Sequence, residues 1–122
     1  MMMSRGTNQR KWKVYFYETR GKRIPVKDFL SSRTPRERAD FAKHVKLLRE
    51  FGLELGMPHA KAVTGHKPLW ELRPEGFRIL YFIDAHRRFI LLHGFLKKED
   101  KIPPRHIETA EDRLRDYRER FE

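Results

Sequence analysis

The chain has 122 residues, no cysteine and a formal net charge of +11 at pH 7. This length suits one domain with its own core, and the lack of cysteine excludes disulfides, thiolate catalysis and thiolate zinc sites. The 28 lysines and arginines against 17 acidic residues predict a polyanionic partner, most often nucleic acid, rather than a merely charged surface.

The first half of the chain predicts one strand and two helices. The aromatic and β-branched stretch Trp12–Thr19 predicts a strand, and Pro25–Ser32 predicts a short helix with proline in its first turn. Thr34 and Glu37 have the spacing of a capping box, so a longer helix is expected to start there and to run to about Phe51.

The second half predicts a three-stranded meander and a final helix. Residues 53–67 are rich in glycine and proline and predict a loop. Strands are expected at Leu69–Arg73, Phe77–Asp84 and Arg88–Leu96, and the last two are apolar on both faces, which indicates a sheet covered on both sides. A helix opens at Pro104, so the order β-α-α-β-β-β-α predicts an α+β fold.

The start of the chain and its apolar runs carry expectations about location. The first residues, MMMSRGTNQRK, are not followed by an apolar segment, and no run approaches the roughly 20 apolar residues of a membrane span. We therefore expect a cytoplasmic protein without a membrane partner. Residues 1–10 lack hydrophobic periodicity and predict a flexible tail, which leaves 11–122 as the one folded domain.

Two arginines flank the turn of the hairpin LWELRPEGFRILYF, where apolar side chains would be usual. If the loop has four residues, Arg73 faces Arg78, and Glu71 shares their face of the sheet. Two guanidinium groups converging at a strand end can clamp a phosphate. A three-residue loop would instead place Arg73 opposite Phe77, leaving an Arg–Glu pair at a sheet end and Arg78 in solvent.

A second basic cluster follows the last predicted strand, in GFLKKEDK. In an antiparallel pair the end of one strand lies beside the start of the other, so Lys97 and Lys98 are expected near Arg73 and Arg78. The alternative is a solvated basic turn without a function.

Other polar residues give weaker signals. His93 lies between apolar neighbours and predicts a sheet-face histidine rather than a catalyst, and Tyr81 should lie on the face opposite Arg78. The histidines show no metal-ligand spacing, and the chain has no glycine-rich phosphate loop. We therefore expect no metal and no cofactor, so any phosphate chemistry should be metal-free.

These motifs together resemble a known family. The segments YETRGKRIPVKDFL, LWELR, FRILYF and LLHGFLKKEDKIPPRHIETAEDR, in this order, resemble the HigB-like, phage-derived branch of the RelE/ParE toxins of bacterial type II toxin–antitoxin pairs. The resemblance covers the chain from about Val14 onward. It implies a small twisted antiparallel sheet with helices packed against it.

The resemblance also implies an activity and partners. Such a toxin would be a metal-independent endoribonuclease that cleaves mRNA on translating ribosomes, through attack of a ribose 2′-hydroxyl on the adjacent phosphate. Its partners would be mRNA, ribosomal RNA and a helix-turn-helix antitoxin, without a small-molecule cofactor.

The resemblance assigns roles to individual residues. Those that match catalytic positions are Glu71, Arg73, Arg78, Lys97 and Lys98. Those expected to bind RNA are Lys101 and Arg105. The arginines would stabilise the phosphate, the glutamate would orient Arg73, and one lysine would assist proton transfer. No C-terminal tyrosine or histidine matches the catalytic one of other branches, because Tyr117 has a core position, so the general base is not indicated.

Two other functions fit the sequence. ParE-type relatives share the fold and inhibit DNA gyrase without cutting RNA, and a basic RNA- or DNA-binding domain would carry a similar charge. Clustered cations at a strand end favour the nuclease, because a gyrase inhibitor has no need of them.

Overall fold

The chain folds into a mixed β-sheet with helices on both faces, described for residues 12–122 in a computed structural model. The predicted flexible tail, residues 1–10, lies outside the described range. The strands are β1 (Lys13–Phe16), β2 (Ala60–Ala62), β3 (Trp70–Leu72), β4 (Phe77–Ile83) and β5 (Arg88–Leu96). The α-helices are α1 (Pro25–Ser31), α2 (Pro35–Phe51) and α3 (Pro104–Phe121), and a 3₁₀ turn spans Gly52–Glu54. None of these helices is long and apolar enough to cross a bilayer.

The five strands are ordered β1-β5-β4-β3-β2 across the sheet. The predicted α+β fold and the antiparallel meander of β3, β4 and β5 are confirmed. The sheet is mixed rather than wholly antiparallel, because β1 pairs in parallel with β5 after the chain has passed through two helices. The strand β2 lies within residues 53–67, where the sequence predicts a loop. Its three residues, AKA, carry too little pattern to mark a strand.

The predicted start of α2 is confirmed in detail. The Thr34 hydroxyl accepts a hydrogen bond from the backbone N–H of Glu37 at 3.0 Å, and the Glu37 carboxylate accepts one from the Thr34 N–H at 2.9 Å. Both bonds satisfy N–H groups that the first helical turn leaves without a partner. The helix ends where Gly52 adopts a positive φ of 55°.

The sheet is buried on both faces, as its apolar strands predict. The helix α3 covers one face and contributes Ile107, Ala110, Leu114 and Tyr117 to a core with Leu80, Phe82, Leu92 and Phe95. Phe121, four residues after Tyr117 on the same side of the helix, is 53% exposed because it lies at the end of the helix. On the other face α1 and α2 pack against Ile79, Tyr81, Phe89 and Leu91, which confirms the predicted side for Tyr81. A polar cleft at the basic end of the hairpin lies on the α3 side of the sheet, where Phe95 and Ile102 line it.

Candidate active site

The register of the β3–β4 hairpin aligns its two arginines. Glu71 pairs with Leu80 and Leu72 with Ile79, so continuing this register by one residue aligns Arg73 with Arg78. The four-residue turn is therefore confirmed, and the three-residue alternative is wrong.

A single buried carboxylate holds both guanidinium groups. Arg73 Nη1 donates to Glu71 Oε2 at 3.0 Å, and Arg78 Nε lies 3.4 Å from Glu71 Oε1. The Glu71 side chain is 9% exposed, so this network lies largely out of water. Two cations face one carboxylate, and the excess positive charge gives the site an affinity for an anion.

The guanidinium of Arg78 is held at two of its three nitrogens, at Nη1 by backbone carbonyls and at Nε by Glu71. Its Nη1 donates to the carbonyl oxygens of Pro74 and Phe77, both at 2.8 Å, which also stabilises the turn. Its Nη2 has no hydrogen-bond partner among residues 12–122, yet this atom is not sealed from solvent. Burial, together with the charge of Arg73, lowers the pKa of Arg78. An anion at Nη2 would oppose this lowering, because a nearby negative charge favours the charged form of Arg78.

These side chains line a polar cleft of about 200 Å³. Its lining residues are Lys61, Glu71, Arg73, Arg78, Phe95, Lys97, Glu99, Asp100, Lys101 and Ile102. The five cations exceed the three carboxylates, so the cleft favours a bound anion.

Lys97 reaches the cleft because β5 ends beside the hairpin turn. Its backbone N–H donates to the Gly76 carbonyl at 3.0 Å, and its Nζ lies 3.5 Å from Asp100 Oδ1. The expected proximity of Lys97 to the arginines is therefore confirmed. Lys98 is exposed and does not line the cleft, because successive residues of an extended chain point to opposite sides. Arg105 is exposed on α3 and does not line it either, so its role in RNA binding stays a prediction.

Lys61 is a cation of the cleft that the sequence did not indicate. It lies on β2 directly opposite Glu71. Within the described part of the chain, the ammonium groups of Lys61 and Lys101 have no carboxylate within ion-pair distance. Both groups are therefore available to bind an anion. Only the pairing of β2 with β3 brings Lys61 here, and no local pattern could have shown it.

His93 is the half-buried sheet-face histidine that its neighbours predict. Arg113 Nη1 lies 3.1 Å from His93 Nδ1, and His93 Nε2 lies 2.8 Å from His106 Nδ1. Because a guanidinium can only donate, His93 accepts at Nδ1 and carries its proton on Nε2, which donates to His106. Burial, with the charges of Arg113 and His106, lowers the pKa of His93 from 6.5 to about 4.

This depressed pKa predicts a loss of stability in mild acid. Between pH 6.5 and 4, His93 is protonated in the unfolded chain but largely neutral in the folded protein. The free energy of unfolding therefore falls as the pH falls, by up to about 3 kcal/mol. His106, whose pKa burial also lowers, acts in the same direction. Urea titrations across this range should show a smaller pH slope for His93→Gln than for the wild type. The exposed His86→Gln variant should keep the wild-type slope, and an unchanged slope in His93→Gln would contradict the assignment.

Tyr117 lies in the core, where its hydroxyl donates to Asp84 Oδ2 at 2.7 Å, and burial raises its pKa to about 12. It does not line the cleft. Across residues 12–122 no group of three or more metal-ligating side chains comes together.

A comparison with protein families gives a match over most of the chain. The family model described as phage-derived protein Gp49-like matches residues 28–115, which is well over half of the chain. The matched range includes the hairpin and the basic segment GFLKKEDK. No curated protein matches the chain.

Proposed function

Because this chain belongs to the phage-derived Gp49-like family, a RelE/HigB-like toxin family, we propose that it is the toxin of a type II toxin–antitoxin pair and cleaves mRNA on translating ribosomes. Membership of the family indicates a toxin-like function. The proposed nuclease activity is more specific than what family membership indicates, and the cationic cleft supports it.

The observation that carries this proposal is the anchored guanidinium of Arg78. The side chain is 10% exposed and lines the cleft, held on two backbone carbonyls and Glu71, while Nη2 has no hydrogen-bond partner within residues 12–122. Oriented donors that need no rearrangement stabilise charge in a transition state better than mobile surface cations do. Arg73, with a 22% exposed side chain, adds a second guanidinium from the neighbouring strand.

The proposed reaction is an internal transesterification. The ribose 2′-oxygen attacks the adjacent phosphorus, the bond from phosphorus to the 5′-oxygen breaks, and a 2′,3′-cyclic phosphate and a 5′-hydroxyl result. Negative charge builds up on the non-bridging oxygens, where Arg73 and Arg78 would donate hydrogen bonds. This chemistry requires no metal, because the chain's own cations supply the countercharge.

Protons move at two positions in this reaction. The 2′-hydroxyl loses its proton to water, and the departing 5′-oxygen gains one from the ammonium group of Lys97. Lys61 and Lys101 would bind the flanking phosphates, since a cationic groove follows the backbone of a single strand.

The partners and location follow from this role. A net charge of +11 favours docking on ribosomal RNA, and it equally suits an antitoxin that covers the basic surface. We propose a helix-turn-helix protein as that antitoxin. A ribosomal target would place the toxin in the cytoplasm.

Primer extension on an mRNA under translation in a cell-free extract tests the proposal. The wild type should give new stops within codons, and Arg73→Ala should not. The same RNA without ribosomes shows whether the ribosome is required. An absence of stops, with DNA gyrase failing to supercoil in the presence of the protein, would favour a gyrase inhibitor. An absence of both effects would contradict the toxin activities considered.

A further inference from the structure

A second chamber, of about 500 Å³, continues from the cationic cleft. It lies between the β2–β3 connection and the start of α3. Both cavities are lined by Lys61, Glu71, Asp100, Lys101 and Ile102, so they adjoin. A chamber of this volume is large enough for a small ligand. A group attached to a phosphate in the cleft would therefore extend into it.

The chamber differs chemically from the cleft. Val63, Ile102 and Ile107 give it an apolar wall, and Val63 and Ile107 are buried. Its carboxylates exceed its cations, and it contains no arginine. The carboxylates are Glu71, Asp100, Glu108 and Glu111, and the cations are Lys61 and Lys101. Carboxylates would repel a second phosphate, whereas an apolar wall with hydrogen-bond acceptors suits the face and edge of a nucleobase.

The two α3 carboxylates are arranged as acceptors. Glu108 and Glu111 are three residues apart, which places them on neighbouring positions of one helix face. His66 Nδ1 lies 3.1 Å from Glu111 Oε2, so one oxygen of Glu111 is engaged and Oε1 is left for a ligand. Among residues 12–122 the Glu108 carboxylate has no hydrogen-bond or ion-pair partner.

We infer that this chamber binds the base next to the phosphate held in the cleft, and that it selects bases with amino groups. Guanine fits it best, because its adjacent N1–H and N2–H groups match the two oxygens of one carboxylate. Adenine and cytosine offer one amino group each. Uracil fits worst, because its single N–H lies between two carbonyl oxygens that a carboxylate repels. The inference rests on the proposed function in one respect, that the cleft holds an RNA phosphate.

The four nucleoside 3′-monophosphates test this without any cleavage step. Titrated into the full chain and followed by NMR, guanosine 3′-monophosphate should bind about tenfold more tightly than uridine 3′-monophosphate. The double variant Glu108→Gln and Glu111→Gln should lose most of this preference and bind the uridine nucleotide no worse. Glu119→Gln, at another exposed α3 carboxylate, should behave as the wild type.

The outcomes separate the inference from the proposed function. Equal binding of all four nucleotides, weakened throughout by Arg73→Ala, would overturn the base chamber and leave the phosphate cleft intact. A preference that survives the double variant would also overturn the inference. Binding of none of them would contradict both. A preference lost in the double variant supports the chamber even if no RNA is cleaved.

Discussion

Replacing Arg73 with alanine should lower the rate of mRNA cleavage by about 10²–10³-fold. The guanidinium of Arg73 is held by Glu71 at the cleft and is level with Arg78, so both would donate to the same phosphate. The effect should fall on the chemical step, because the negative charge on the phosphate oxygens is greater in the transition state than in the bound RNA. Stability should change little, since Arg73 is the more exposed of the two arginines.

Single-turnover cleavage and equilibrium binding together check this expectation. Binding is measured on an RNA with a 2′-deoxy nucleotide at the cleavage position, which cannot react. The matched control is Arg49→Ala, which removes an equal charge from an exposed arginine beside the opposite edge strand. A loss of affinity equal to the loss of rate, shared by Arg49→Ala, would show that Arg73 acts only through net charge.

Replacing Glu71 with alanine should destabilise the fold by about 3 kcal/mol. Glu71 forms ion pairs with both hairpin arginines. Arg78 cannot turn into solvent without Glu71, because its Nη1 is hydrogen-bonded to backbone carbonyls. Without Glu71, two aligned cations face each other in a partly desolvated site. The cost is mainly that of leaving buried charge without a partner.

Urea unfolding measures this loss, and added phosphate tests its cause. Glu99→Ala is the control, because it removes an exposed carboxylate from the same cleft. Phosphate should stabilise the Glu71→Ala variant more than the wild type, since a bound anion takes over the position of the carboxylate. A loss no larger than that of Glu99→Ala would mean that Glu71 does not compensate the arginines.

Much of the site was predictable because its signals are local. Glu71 and Arg73 share a face whatever the loop length, since side chains alternate along a strand. The strand β5 pairs antiparallel with β4, so its end places Lys97 beside the arginines, as expected. The family match to residues 28–115 agrees with the resemblance that these motifs carry.

The sequence by itself determined the elements whose marks lie within a few residues: the capping box of α2, the apolar runs of β4 and β5, and the proline that opens α3. Only the tertiary structure decided which distant residues meet these elements. The pairing of β2 with β3 brings Lys61 to Glu71, and the docking of α3 places Glu108 and Glu111 beside the cleft. Such neighbours depend on strand order and helix packing, which arise from burial of the whole core rather than from any short stretch of residues.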